Sequence, residues 1–238
     1  MGLTLRHLSS SLALISARQT VESLQVVSML IASYLYVICQ ALDLRALQHE
    51  FSVSISRLLT EDISAHLTPY FSKPCHELAL HAHLMSAIQD SLDATSCKDA
   101  KLRMEAVAAA TTAPLMAFLS EDTGVIRDGV TAVELMIASQ AFRASFATGG
   151  AELLQGLRCE YLTGERGPAP AAPFLGRTRP VYVFIRETLG IPMHGLQNYH
   201  LFEDGFGDIL IGGNVTKIFE AIRDGEMQNV IARVFHDA

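Results

Sequence analysis

Between Ser9 and Leu59 the chain contains neither glycine nor proline, the two residues that most often end or break a helix. The run implies one helix or two abutting ones, about 75 Å long if unbroken. A rod of that length usually runs through a bundle or across a subunit boundary rather than lying on a small globule. Its most apolar part, Leu24 to Leu42 (LQVVSMLIASYLYVICQAL), is 19 residues without a charge, close to the length that spans a bilayer. The expectation is nonetheless a helix buried in a bundle, with no membrane partner. Gln25, Ser28, Ser33 and Gln40 are distributed around it, and the helical pattern continues through Asp43, Arg45, His49 and Glu50 without an interface break.

The rest of the chain reads as further helices. Pro69 and Pro74 punctuate the exit from the long run, and a second helical pattern covers His76 to Asp93. Ser96 to Leu119 is Ala-rich, with Pro114 as a kink or boundary; Asp128 to Leu162 reads as a helix pair with a possible break at Gly149-Gly150. Thr163 to Pro180, TGERGPAPAAPFLGRTRP, holds four prolines and three glycines in 18 residues and is an irregular connection. Val181 to Leu189 reads as a short helix stopped by Gly190 and Pro192, and His194 to Ile211 as a glycine-containing loop. Asn214 is the expected N-cap of a helix that Gly225 closes, and Met227 to Phe235 forms the last one. No run alternates as a strand would. The fold class is all-α, in a single domain: a long-helix bundle over 1–162, a connection over 163–180, and short helices over 181–238.

Composition narrows the partners. Half the residues are hydrophobic and 18% are charged, so the chain hides a large core or hides surface in an oligomer. Net charge is −7 and the basic residues are scattered, which excludes a nucleic-acid stripe. Cys39, Cys75, Cys97 and Cys159 make no CxxC pair and read as reduced, buried thiols of an intracellular protein, expected in the cytoplasm. Arg6 and His7 precede an apolar run, but Arg18 and Glu22 interrupt it and no small-residue cleavage site follows, so no secretory leader is expected.

Short motifs add little. HELALH, His76 to His81, is one residue longer than a zinc-binding HExxH; a spacing of five turns the two imidazoles about 140° apart on a helix. No metal is expected. Asn214-Val215-Thr216 matches a glycosylation sequon but reads better as a helix cap. Gly205, Gly207, Gly212 and Gly213 do not form a phosphate loop, since no strand precedes them and no Lys-Ser/Thr follows.

Three blocks carry a resemblance: Ser11 to Phe51 (SLALISARQTVESLQVVSMLIASYLYVICQALDLRALQHEF), Arg177 to Gly190 (RTRPVYVFIRETLG) and Ile211 to Ile231 (IGGNVTKIFEAIRDGEMQNVI). They resemble, in order and spacing, the central helix and C-terminal segments of fungal phenylalanine ammonia-lyases. The resemblance covers nearly this whole chain but about the C-terminal third of the family's. It implies the long-helix bundle of that fold. The family's electrophile, a methylidene-imidazolone made from an internal Ala-Ser-Gly, arises upstream of the matched region. These 238 residues contain no such tripeptide, the nearest being Ala147-Thr148-Gly149, so no cofactor is expected.

The family also carries a Glu and, four residues on, a Gln that line the substrate pocket. Counting back from Ser11 places them at Leu3 and His7, with two neighbouring Asn positions at Arg6 and Ser10. An aliphatic Leu cannot hold an ammonium or move a proton, so the chain alone is not expected to eliminate ammonia. The expected function is that of a repurposed enzyme: prosthetic-group-free cyclisation or cycloaddition of a hydrophobic small-molecule intermediate held between apolar helices. His7, Arg6 and Ser10 are the candidate catalytic groups; Leu3, Tyr34 and Tyr36 are the candidate substrate contacts. The alternative is a non-catalytic partner that co-assembles with a full-length lyase. Self-association through the long helix is expected in either case, with hetero-assembly with a full-length lyase as the alternative.

Overall fold

The computed structural model describes the backbone of residues 2–121, 124–195 and 210–236, and the side chains of 13–120, 124–195 and 210–235. Helix α1 runs unbroken from Gly2 to His66, as the glycine- and proline-free run dictates. It ends in a 3-10 turn, Thr68–Tyr70, in which Pro69 takes an early position. Contacts sort the chain into two compact units, residues 47–160 and residues 1–46 with 161–238. The boundaries fall inside α1 and near the end of the fifth helix rather than in the Pro/Gly-rich connection.

In the 47–160 unit, α1 buries Phe51, Ile55, Leu59 and Ile63, one residue per turn. Helix α2, Cys75–Ala94, does the same with Leu80, Leu84, Ile88 and Leu92, and packs on α3, Ala100–Ala110, and α4, Thr112–Glu121. Asp99 caps α3 by accepting the Leu102 N–H at 2.8 Å. Pro114 marks a boundary rather than a kink: it lies in the first turn of α4, where a missing N–H leaves no helical bond unmade.

Helix α5, Ala132–Thr163, starts with a reciprocal cap. Thr131 N–H donates to Glu134 at 2.8 Å, and Glu134 N–H donates to the Thr131 hydroxyl at 3.3 Å. The helix then continues straight through Gly149-Gly150, against the expected break. The two glycines serve contact instead. A Cβ on Gly149 would lie 3.2 Å from Leu58, and one on Gly150 would lie 2.4 Å from the Met104 methyl and 3.2 Å from Ile55. The only β-type pairing among the described residues is an isolated bridge between Phe71 and Ile126.

In the other unit, α1 turns Ala32, Tyr36, Cys39, Asp43 and Ala46 inward. Short helix α6, Arg179–Val183, passes into a π-helical turn, Phe184–Thr188. It packs against α8, Glu226–His236, which also meets α7, Ile211–Arg223. Helix α7 begins earlier than the expected Asn214 cap: Leu210 is the N-cap, and Asn214 is a buried residue inside the helix. Gly225, at φ +86°, makes the turn into α8.

The N-terminal half of α1 differs most from a helix buried on all sides. Residues 13–31 are exposed apart from half-buried Ser28, including Leu14 at 75%, Leu24 at 60% and Leu30 at 58%. Two stretches, Ala13–His66 and Ala100–Ser120, are long and apolar enough to cross a membrane by length and composition alone.

Candidate functional site

The polar heart of the 1–46/161–238 unit is built on one face of α1. Tyr36, Gln40 and Asp43 follow one another at helical spacing and point toward the segment around α6 and the π turn. Asp43 is fully buried and takes two donors: the Tyr182 hydroxyl on one oxygen and an Arg186 guanidinium nitrogen on the other. Tyr182 in turn accepts the Ala171 N–H at 3.0 Å. Arg186 sends its other terminal nitrogen to the carbonyls of Ile191 and Pro192 at 2.9 and 2.7 Å. One turn away on α1, the Gln40 amide clamps the backbone of His194. Its Nε2 donates to the His194 carbonyl at 2.7 Å, and its Oε1 accepts the His194 N–H at 3.0 Å.

Burial dominates the protonation of this cluster. It raises the Asp43 carboxyl above its ordinary value, while the Arg186 charge and the Tyr182 and Arg186 hydrogen bonds pull it back. It pushes the Cys39 thiol up to about 11, so Cys39 stays a thiol; of the four cysteines expected to be buried it alone is, since Cys75, Cys97 and Cys159 are exposed. Tyr182 is raised by burial and then by its bond to Asp43, which keeps the phenol protonated and donating. Tyr36 is raised by burial, with Asn214 and Arg186 opposing. Its hydroxyl faces Asn214 without reaching hydrogen-bond geometry.

Both oxygens of Asp43 are engaged, and both terminal nitrogens of Arg186 are in use. The buried Arg186 Nε finds no acceptor, and the Tyr36 hydroxyl has no hydrogen-bond partner. With the Asp43 carboxylate and both terminal nitrogens of Arg186 engaged, the network positions backbone. It fixes residues 191–194. No local pattern signals it, because Asp43 and Arg186 are 143 residues apart.

The expected site residues separate. The side chains of Leu3, Arg6, His7 and Ser10 lie outside the described residues. Tyr34 is 69% exposed and Tyr36 is 6% exposed; a spacing of two turns them to opposite sides of α1, so they do not line one pocket within this chain. His76 and His81 turn to different neighbours, Ser72 at 3.3 Å and Ser56 at 3.1 Å. Ala147-Thr148-Gly149 sits within α5, where the exposed Thr148 donates to the Ala144 carbonyl at 2.9 Å. Cyclisation there would pull Gly149 N out of the helical ladder, so the residues present do not fit the methylidene-imidazolone.

No family model matches the chain. Individual relatives do. Phenylalanine ammonia-lyase 1 of Pleurotus ostreatus is 48% identical over 232 residues, which cover 95% of this chain and 30% of the relative. Phenylalanine ammonia-lyase of Mycosarcoma maydis is 31% identical over 229 residues, covering 96% of this chain and 31% of the relative. The crystal structure of phenylalanine ammonia-lyase from Rhodosporidium toruloides superposes with a TM-score of 0.76 at 28% identity, over 94% of this chain and 32% of that one. The chain thus spans about 30% of the length of the curated relatives it matches. By sequence and by fold the chain matches the helical C-terminal part of the fungal phenylalanine ammonia-lyases.

Proposed function

We propose that the chain acts as a helical assembly module of the ammonia-lyase type, its α1 completed by other copies of this chain. The observation that carries this reading is the exposed apolar surface of α1 over residues 13–31. Exposed apolar area this continuous marks a surface that another surface covers. Arg18 and Glu22, paired at 3.2 Å within it, favour protein over lipid as the cover, so the protein is expected in the cytoplasmic soluble fraction. Sedimentation of the purified chain tests this: an oligomer supports it, and a monomeric mass at micromolar concentration overturns it. Co-purification with a full-length lyase, in place of self-assembly, would assign the same surface to a hetero-partner.

A second reading is cofactor-independent cyclisation of a hydrophobic biosynthetic intermediate. Its support is the replacement of the family's Glu and Gln positions by Leu3 and His7, with Arg6 and Ser10 beside them. In this reading assembly encloses the apolar pocket, and His7 acts as acid, base or hydrogen-bond donor. Incubation with polyene substrates tests it. Turnover that survives His7→Ala, Arg6→Ala and Ser10→Ala would remove these residues from the chemistry.

A further inference from the structure

In the 47–160 unit, where α1 passes the start of α2, the surface opens into a groove of about 390 Å³. That size suits a small molecule. Its polar floor is already ordered. His81 Nε2 lies 3.1 Å from the Ser56 hydroxyl and 3.2 Å from the Ser56 carbonyl. The carbonyl also accepts the Thr60 hydroxyl at 3.2 Å, in addition to its helical N–H. The arrangement that overloads no acceptor has the Ser56 hydroxyl donating to a bare Nε2, which leaves the ring proton on Nδ1.

Above this floor the groove is amphipathic. Val53 and Leu78 line it and are 59% and 77% exposed, apolar area that a ligand would remove from water. Arg57 also lines it. Among the described residues it pairs with Glu61, 3.7 Å away, and both side chains are mostly exposed. Such a pair is weak in water, so the guanidinium can turn to a carboxylate with the bidentate geometry it favours. Glu77 contributes a fixed negative charge, held by the Thr68 hydroxyl at 3.1 Å. That charge works against a second acidic group on the ligand.

We propose that this groove binds a small monocarboxylic acid with a compact apolar body, the carboxylate on Arg57 and the body over Val53 and Leu78. The site binds and does not transfer acyl groups. Ser56 lies in the interior of α1, where the backbone N–H groups are spent on the helix and none remains to stabilise an oxyanion. The inference stands independently of the assembly role.

Benzoate and hexanoate titrated into the full chain, followed by the imidazole signals in ¹H–¹⁵N spectra, test it; His81→Gln identifies the His81 signals. Both acids are expected to shift the His81 signals saturably. Arg57→Gln, with its helical circular dichroism unchanged, is expected to weaken binding at least tenfold. Benzyl alcohol and hexanol, which lack the carboxylate, and phthalate, which has two, are expected to bind at least tenfold more weakly than benzoate. Shifts that stay linear with concentration, Arg57→Gln binding as tightly as the parent, or alcohols or phthalate binding as well as benzoate, would each overturn the proposal.

Discussion

Arg186 and Asp43 meet across 143 residues of sequence, with both side chains fully buried. Removing one partner strands the other charge, and an uncompensated buried charge costs about 3–5 kcal/mol. Arg186→Leu also frees the Ile191 and Pro192 carbonyls. Each of Arg186→Leu and Asp43→Leu is expected to lower the urea midpoint strongly, and the double variant to cost less than the sum of the two. Strict additivity in the double-mutant cycle would show that the pair is not coupled.

Three glycines of α5 separate contact from propensity. At Gly150 a methyl meets Met104 at 2.4 Å and Ile55 at 3.2 Å, whereas at Gly156 it meets nothing within 4 Å. Gly150→Ala is expected to destabilise by about 1–3 kcal/mol through overpacking. Gly156→Ala is expected to stabilise by about 0.5–1 kcal/mol through helix propensity alone. Gly149→Ala, with Leu58 at 3.2 Å, should fall between them. Thermal melts of the three variants check the order.

Asp62 is 6% exposed; one oxygen accepts the Ser145 hydroxyl at 2.7 Å and the other has no partner. Burial raises its pKa, with Ser145 and His66 opposing and Glu61 adding to the rise. The folded state therefore holds this proton more tightly than the unfolded chain does. Its stability contribution is full below the ordinary Asp value of about 3.9 and is lost as pH rises through the raised folded value. Asp62→Asn should remove that loss. Wild type should grow less stable relative to the variant as denaturation is repeated from pH 4 to pH 7; a constant difference would contradict the assignment.

Tyr34 and Tyr36 should respond in opposite ways. Tyr36→Ala opens a cavity among buried side chains and is expected to cost about 3–5 kcal/mol, in the range of other large aromatic truncations. Tyr34→Glu changes an exposed position and should leave monomer stability within about 0.5 kcal/mol. If α1 is covered by other copies, the same Tyr34→Glu change should lower the assembly mass measured by sedimentation.

Much of the helical layout was legible because it is local. The absence of glycine and proline predicts α1, and Pro69, Pro74, Gly190 and Gly225 fall at or near element ends. The misreadings share a cause. Gly149-Gly150 looked like a break because sequence shows a helix breaker but not the neighbouring Leu58, Ile55 and Met104 that need its lack of a side chain. Asn214 looked like a cap because its residue type suits one, yet the helix starts at Ile211 and buries it. The Asp43–Tyr182–Arg186 cluster gave no pattern at all, since its members meet only in the folded chain.

The π turn at Phe184–Thr188 gives that cluster a further property. The Leu189 N–H reaches back five residues to the Phe184 carbonyl at 2.9 Å, so this turn holds one residue more than an α-turn would. Deleting Glu187 would close it to ordinary α spacing and shorten by one residue the chain between Arg186 and the Ile191 and Pro192 carbonyls, taking them out of the register in which the guanidinium meets both. Residue number is therefore itself a constraint here. Natural length variants of this chain should place their insertions and deletions in the irregular stretch between Gly164 and Ala171 and leave the count from Arg179 to Met193 unchanged.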